Sequence, residues 1–331
     1  MIDFTKQPLD SYIDNEEKII RNLAAHLSNG MLGLYLGAGV SDGFGLPMWK
    51  ELVLNCLSDD KIKLNEITTG ENGDKTNTNP YADDETAIEK IKEKLEQDEE
   101  VFKSIVLKNL YKNRSFDFEM IRKPLLIAIS SLIKSGRTIG GISEIITLNF
   151  DSLLEWYLQI TGVVVTTTFE QNQIIKSSEV EVIHPHGYLP HPNHQNVVSD
   201  YLVFSESEFD YFVMNEKNYF RSRMINFFSS KIFLSVGVGP GSLIDYTQKK
   251  FLNYVSKNYE GKERRYPFGF SIIPIDSYNK FMSKQNKTKD QLDEEFMKKG
   301  IVPVIMEKEN IPQFLFAIAQ KVAGVNVSYQ L

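Results

Sequence analysis

The apolar run Ile145-Ile146-Thr147-Leu148 leads directly into Asn149, Phe150 and Asp151, and a second run, Val182-Ile183, ends in His184-Pro185-His186-Gly187. A carboxamide, a carboxylate and an imidazole are groups that orient a hydroxyl or a water and take its proton. An imidazole with an unperturbed pKa near ~6.5 is a usable general base at neutral pH. Two more apolar runs stop in glycine. Leu34-Tyr35-Leu36 precedes Gly37-Ala38-Gly39-Val40-Ser41, and Phe233-Leu234-Ser235-Val236 precedes Gly237-Val238-Gly239-Pro240-Gly241-Ser242. Glycine lets the backbone come close to a phosphate, and Ala38 adds little bulk. Two such turns at strand ends of one sheet suit a dinucleotide lying across the crevice.

Each feature also has a plainer reading. Asn149 can simply shape a turn, and Asp151 can cap a helix starting at Ser152. His186 can be structural. The second glycine run, with Asp245 shortly after it, can be a turn before a helix at Leu243. His184, His186, His191 and His194 lie close together and raise a metal site. No cysteine or acidic residue with ligand spacing accompanies them, so no metal is expected. Cys56, the only cysteine, sits in the helix-like stretch Glu51–Leu57 and reads as a small core residue.

The elements that must position these groups alternate. Helix periodicity runs over Glu16–Leu27 and ends at Ser28-Asn29-Gly30. Met31–Leu36 reads as a strand, Gly45-Leu46-Pro47 as a bend and Met48–Leu57 as a helix. Residues 58 to 85 read as a long polar loop. Helices follow at Glu85–Gln97, Asp98–Tyr111 and Pro124–Ser135, the last strongly apolar. Strands are predicted at Glu144–Leu148, Val163–Thr168, Val180–Ile183, Leu202–Phe204, Lys231–Val236, Phe268–Ile275 and Gly300–Ile305. Helices are predicted at Ser152–Ile160, Ser207–Met214, Tyr219–Phe228, Leu243–Ser256, Lys289–Lys299 and Ile311–Val322. This alternation predicts an α/β fold, a Rossmann-like, mostly parallel sheet covered by helices, with a helical insertion after the first strand. The whole chain, 1–331, is expected to be one domain, with a helical subdomain inserted at about 48–140.

Bulk composition narrows the function classes. The 331 residues are 42% hydrophobic and 24% charged, ordinary for a globular protein. A net charge of -7 gives no indication of direct nucleic-acid binding. No apolar run is long enough to span a membrane, and Met1-Ile2-Asp3-Phe4 lacks the start of a signal peptide, so a cytoplasmic location is expected.

Taken in order, GAGVS with GLP, then TLNFD, then HG, then a glycine-rich strand end, the motifs resemble those of the sirtuin family. In sirtuins the first turn holds the pyrophosphate of NAD, the Asn and Asp flank the nicotinamide ribose, and the His is the general base on that ribose. The resemblance therefore implies a catalytic set of Asn149, Asp151 and His186. It implies a cofactor-binding set of Gly37, Ala38, Gly39, Ser41 and Pro47, joined by Gly237, Gly239 and Ser242 of the second glycine run. NAD would be the substrate.

The departures matter as well. One cysteine cannot make the four-cysteine zinc ribbon of protein deacylases. Met48-Trp49-Lys50 stands where those enzymes read Asp-Phe-Arg, and Thr147-Leu148 precedes Asn149 without the usual Gln. The fourth segment lacks the family's usual Gly-Tyr-Ser. The chain resembles instead the sirtuin-like effectors of bacterial antiphage defence. That likeness implies cleavage of NAD+ to nicotinamide and ADP-ribose, assembly into homo-oligomers, and work with a second protein such as a HerA-type ATPase or an Argonaute. An NAD-dependent deacylase, an ADP-ribosyltransferase and a non-catalytic NAD or ADP-ribose sensor are the competing readings. Phe44, Trp49, Tyr188 and Phe204 are aromatics that can line the pocket or fill the core.

Overall fold

Alternation of side chains along buried strands dictates the two faces of the sheet. In a computed structural model, described for residues 9–62, 68–69, 75–76, 84–112, 116–135, 140–170, 179–193, 197–215, 218–244, 251 and 267–324, the main sheet has seven strands. They are β1 (Leu32–Leu36), β2 (Glu144–Thr147), β3 (Val165–Thr168), β4 (Val180–Ile183), β5 (Ile232–Val236), β6 (Gly269–Pro274) and β7 (Ile301–Met306). All pair in parallel, in the order β3-β4-β2-β1-β5-β6-β7. Such a sheet must be covered on both faces, and its strands read as near-continuous apolar runs.

Leu34, Leu36, Ile145, Val182, Leu234 and Phe270 point into one core, with the helices Glu16–Ser28, Pro124–Ser135 and Ile311–Ala323. Their neighbours Tyr35, Ile146, Ile183, Phe233 and Ile273 point into the other. That second core is aromatic, filled by Phe209, Phe220, Phe227, Phe228, Phe251, Tyr278 and Phe296. Each fully buried aromatic contributes about 2–3 kcal/mol. The helices are capped as their sequences ask. Asn15 accepts from the Lys18 N–H at the start of Glu16–Ser28, and Thr288 forms a capping box with Gln291 at the start of Lys289–Lys298.

Between β1 and β2 the described elements are two short 3-10 turns, Ala38–Val40 and Asp42–Phe44, then the helices Trp49–Leu57, Asp84–Lys94, Glu99–Tyr111, Phe118–Ile121 and Pro124–Ser135, together with a two-residue antiparallel pairing of Thr68–Thr69 with Lys75–Thr76 inside the predicted polar loop. Two sequence expectations differ. Leu202–Phe204 joins no sheet: Val203 N–H donates to the His186 carbonyl at 2.8 Å, so these residues cross the end of the sheet instead of extending it. A helix, Ile275–Gln285, begins where a strand was expected to end. Most of the helix predicted over Leu243–Ser256 lies outside the described residues; a short helix, Pro240–Ile244, precedes it.

The chain leaves β1 for β2 on one side and, after β4, returns to place β5 on the other side of β1. This change of direction opens a crevice at the C-terminal ends of the central strands. The residues that follow β4, β2, β1 and β5, four neighbours in the sheet, are His186, Asn149, Gly37 and Gly237.

Candidate active site

A cavity of about 380 Å³ lies at that edge, within the size range of small-molecule sites. Gly37, Ala38, Asn149, His186, Gly237, Gly239 and Ser242 border it, with Met48, Trp49, Leu148, Val203, Phe204, Ser205, Phe209 and Val238. Of the residues expected from sequence, Gly39, Ser41, Pro47 and Asp151 stand behind this lining.

The two glycine turns press on each other. Gly39 N–H donates to the Gly237 carbonyl at 2.9 Å, and Gly37 N–H donates to the Val236 carbonyl at 3.0 Å. A Cβ on Gly39 would lie 2.7 Å from Gly237 Cα, and one on Gly237 2.6 Å from Val40 N. Gly237 also has φ of +72°, where only glycine is unstrained. The glycines here serve backbone-to-backbone contact between β1 and β5, and Gly37, Ala38, Gly237 and Gly239 still face the cavity.

Asn149 follows β2, where Leu148 N–H continues the ladder to the Leu36 carbonyl at 2.9 Å. Its Nδ2 donates to Ser41 Oγ at 3.1 Å, and Ser41 Oγ donates to Asp151 Oδ2 at 2.9 Å. Ser41 has one proton, which an ionised Asp151 takes, so Ser41 can only accept from Asn149. This fixes the amide with Nδ2 toward Ser41 and leaves its oxygen for a ligand. Asp151 Oδ1 accepts from Leu153 N–H at 3.0 Å, so Asp151 also caps the helix Leu153–Ile160. Burial pushes its carboxyl up to about 6, against the pull of the Leu153 and Ser41 hydrogen bonds.

His186 sits at the turn after β4, and Gly187 behind it has φ of +105° and leaves no room for a Cβ beside the Tyr201 carbonyl. Its ring meets Phe209 edge-on at 5.7 Å. Nε2 is shielded from solvent and has no hydrogen-bond partner among the described residues. Burial lowers its pKa to about 4, so the ring is neutral at physiological pH.

The opposite wall is aromatic. Trp49 packs on Phe204 at 5.0 Å, and Phe204 stacks on Phe150 at 4.9 Å. Ser205 starts the helix Glu206–Phe212 through a capping box with Glu208, a Ser-x-x-Glu signal legible in the sequence. Lys92 of the inserted helices pairs with that same Glu208. Phe44 and Tyr188, also weighed as lining, are buried in packed interior. The histidines disperse. His184 pairs with Glu155, His191 packs against Tyr111 and Phe116, and His194 and Asp245 lie outside the described residues. Among the described residues no group of three His, Cys, Asp or Glu side chains could hold a metal, and no helix is long and apolar enough to cross a membrane.

No curated protein matches the chain. It is similar to a solved structure from "Structural Basis for the Mechanism and Regulation of Sir2 Enzymes", at 14% identity over 92% of this chain and 96% of that one, with a TM-score of 0.43. It is also similar to a Sir2 homolog–NAD complex, at 13% identity over 93% of this chain and 94% of that one, again with a TM-score of 0.43. Residues 143–304, from β2 into β7, match the family described as SIR2-like domain. That match spans just under half of the chain.

Proposed function

We propose that the protein is an NAD+ glycohydrolase that cleaves NAD+ to nicotinamide and ADP-ribose and depletes NAD in antiphage defence. The observation that carries this reading is the shared cavity. A free carboxamide oxygen on Asn149 and an unpartnered, neutral imidazole on His186 border one space with two glycine turns. Among the described residues the lining holds no charged side chain, which suits a ligand whose own pyridinium and pyrophosphate charges nearly balance.

In this reaction the bond between ribose C1′ and the pyridinium nitrogen breaks. Its electron pair goes to nicotinamide, which leaves neutral, while C1′ gains oxocarbenium character. Water then bonds to C1′ and loses a proton. Asn149 orients the nicotinamide ribose or the water through its amide oxygen, and His186 accepts a proton from a ribose hydroxyl or from that water. Asp151, through Ser41, sets the direction of the Asn149 amide. The glycine turns approach the pyrophosphate, and the Trp49–Phe204 wall faces the flat nicotinamide ring. Hydrolysis is favoured over deacylation by the single cysteine, which rules out a four-cysteine zinc ribbon, and by Met48-Trp49-Lys50 in place of Asp-Phe-Arg. These same departures are the support for a defence role, in an oligomer and with a partner protein.

The test is purified protein mixed with NAD+, with nicotinamide and ADP-ribose followed by chromatography and His186→Ala alongside. Wild type should release both products without any acylated peptide, and His186→Ala should release neither. Release that requires an acylated peptide, or tight NAD binding with no turnover, would overturn hydrolysis.

A further inference from the structure

The last register pair between β2 and β4 is Ile146 with Ile183. Beyond it the two loops are joined at their far ends, where Leu189 N–H donates to the Phe150 carbonyl at 2.7 Å and the Tyr111 hydroxyl donates to the Leu189 carbonyl and accepts from Ser152 N–H. At Asn149 itself the link is a side chain. His184 Nδ1 lies 2.8 Å from the Asn149 carbonyl oxygen, and its Nε2 lies 2.5 Å from Glu155 Oε1. The backbone of His184 is itself anchored: its N–H donates to the Thr168 carbonyl of β3 at 2.9 Å, and its carbonyl accepts from Gly187 N–H of the His186 turn at 3.2 Å.

The chemistry of this contact admits one arrangement. A backbone carbonyl only accepts, so Nδ1 carries a proton. Nε2 and Oε1 then share a second proton, since neither can otherwise donate. The ring is held on opposite edges and cannot flip without losing both bonds. Glu155 lies on the helix Leu153–Ile160, whose first turn Asp151 caps. A closed circuit therefore runs from Asn149 through His184 and Glu155 back to Asp151.

Stability alone does not call for this pair. The His184 and Glu155 side chains are 0% and 2% exposed, and Glu155 Oε2 has no partner among the described residues. An apolar pair of similar volume would fill such a space at lower cost. We propose that His184, oriented by Glu155, is a positioning residue that fixes Asn149 relative to His186. The proposal rests on the roles given to Asn149 and His186 above.

The experiment compares His184→Leu, His184→Asn and Glu155→Gln with wild type by melting, by NAD cleavage and by the Asn149 side-chain NH2 cross-peak in a ¹H–¹⁵N spectrum, assigned by its loss in Asn149→Ala. Folded His184→Leu should shift that cross-peak and lower kcat about 100-fold, with KM within about threefold. His184→Asn, whose amide can donate to the same carbonyl, should recover at least about tenfold of the loss. In an Asn149→Ala background, His184→Leu should lower kcat no further. Wild-type kcat in folded His184→Leu, a full further loss in that background, or an unmoved cross-peak overturns the proposal. If His184→Leu does not fold, Glu155→Gln decides by the cross-peak, and no movement there overturns it. If wild type cleaves no NAD, the glycohydrolase reading fails, and the cross-peak alone still decides the positioning role.

Discussion

Asp151→Asn separates what the buried carboxylate costs the fold from what it does for the site. Asp151 is 6% exposed, and burial lifts its carboxyl from an ordinary 3.8 to about 6. A carboxyl that binds its proton more tightly in the folded state contributes stability below about pH 3.8, and that contribution is lost as pH rises through about 6. At neutral pH the native protein holds an ionised group at a cost of about 3 kcal/mol. Asparagine has the same shape without the charge. Its oxygen still accepts from Leu153 N–H, but the Ser41 contact changes from a charge-assisted bond to a neutral one, weaker by about 1 kcal/mol. The variant should therefore be more stable than wild type by about 1–2 kcal/mol near pH 8, raising Tm by about 2–5 °C. That advantage should shrink as pH falls toward about 4, where the wild-type carboxyl is protonated.

The same change inverts the relay. The new NH2 at position 151 donates to Ser41 Oγ, so the Ser41 proton turns toward Asn149. The Asn149 amide must then rotate and present NH2 to the cavity in place of its oxygen. Cleavage of NAD should fall by about 100-fold while the fold gains stability. Melting curves of both proteins over pH at fixed ionic strength, with turnover measured on the same samples, make the test. A stability difference that does not change with pH, a variant less stable at pH 8, or turnover equal to wild type would refute the reasoning.

His186 shows the opposite linkage: its buried neutral ring supports the fold fully above pH 6.5, and that support is lost as pH falls toward about 4. His186→Ala should thus melt more like wild type at neutral pH but resist acid better, by about 2 kcal/mol near pH 4, as melting curves would show. Gly237→Ala places a Cβ 2.6 Å from Val40 N at positive φ, so it should cost about 2–4 kcal/mol by denaturant titration and weaken NAD or ADP-ribose binding together with stability. In a Trp156→Phe background Trp49 is the only tryptophan, and ADP-ribose or NAD should change its emission, because Trp49 borders the cavity. Arg223 bridges Glu144 and Glu181; Arg223→Met strands two nearly buried carboxylates and should lower stability by about 3 kcal/mol in urea titrations.

How far the sequence could be read follows from what is local. Every strand bordering the crevice runs into a residue that breaks an apolar run: Gly37, Asn149, Gly237 and, two residues before His186, His184. Continuous apolar runs and the glycines or polar residues that stop them reveal strand ends without knowledge of partners. Leu202–Phe204 failed that reading because three apolar residues look the same on a strand and on a segment laid across a pocket; only the His186 carbonyl, far off in sequence, decides between them. The helix Ile275–Gln285 begins directly at the strand's end, with no polar loop between to mark the change of period. The His184–Glu155 pair carries no signal at all, since two polar residues separated by the rest of a helix and two strands meet only in the folded sheet.

The misfit groups share one location. Across the sheet the interior is mostly aliphatic on one face and rich in aromatics on the other, and there local pattern and global fold agree. At the C-terminal edge of β2 and β4 they do not. Asp151 is buried with its pKa raised, His186 is shielded without a partner, and Glu155 keeps an unpaired oxygen. Such groups destabilise a fold, and a chain free to optimise stability would replace each by an apolar side chain of similar size. Their concentration around Asn149, at the point where the strand order reverses, is what a site under selection for proton transfer and orientation would require. If the edge were only structural, apolar replacements at Asp151, His184 and His186 would each raise stability and leave the binding of NAD untouched. If it is the site, they raise stability and remove turnover together, and that opposition separates the two accounts.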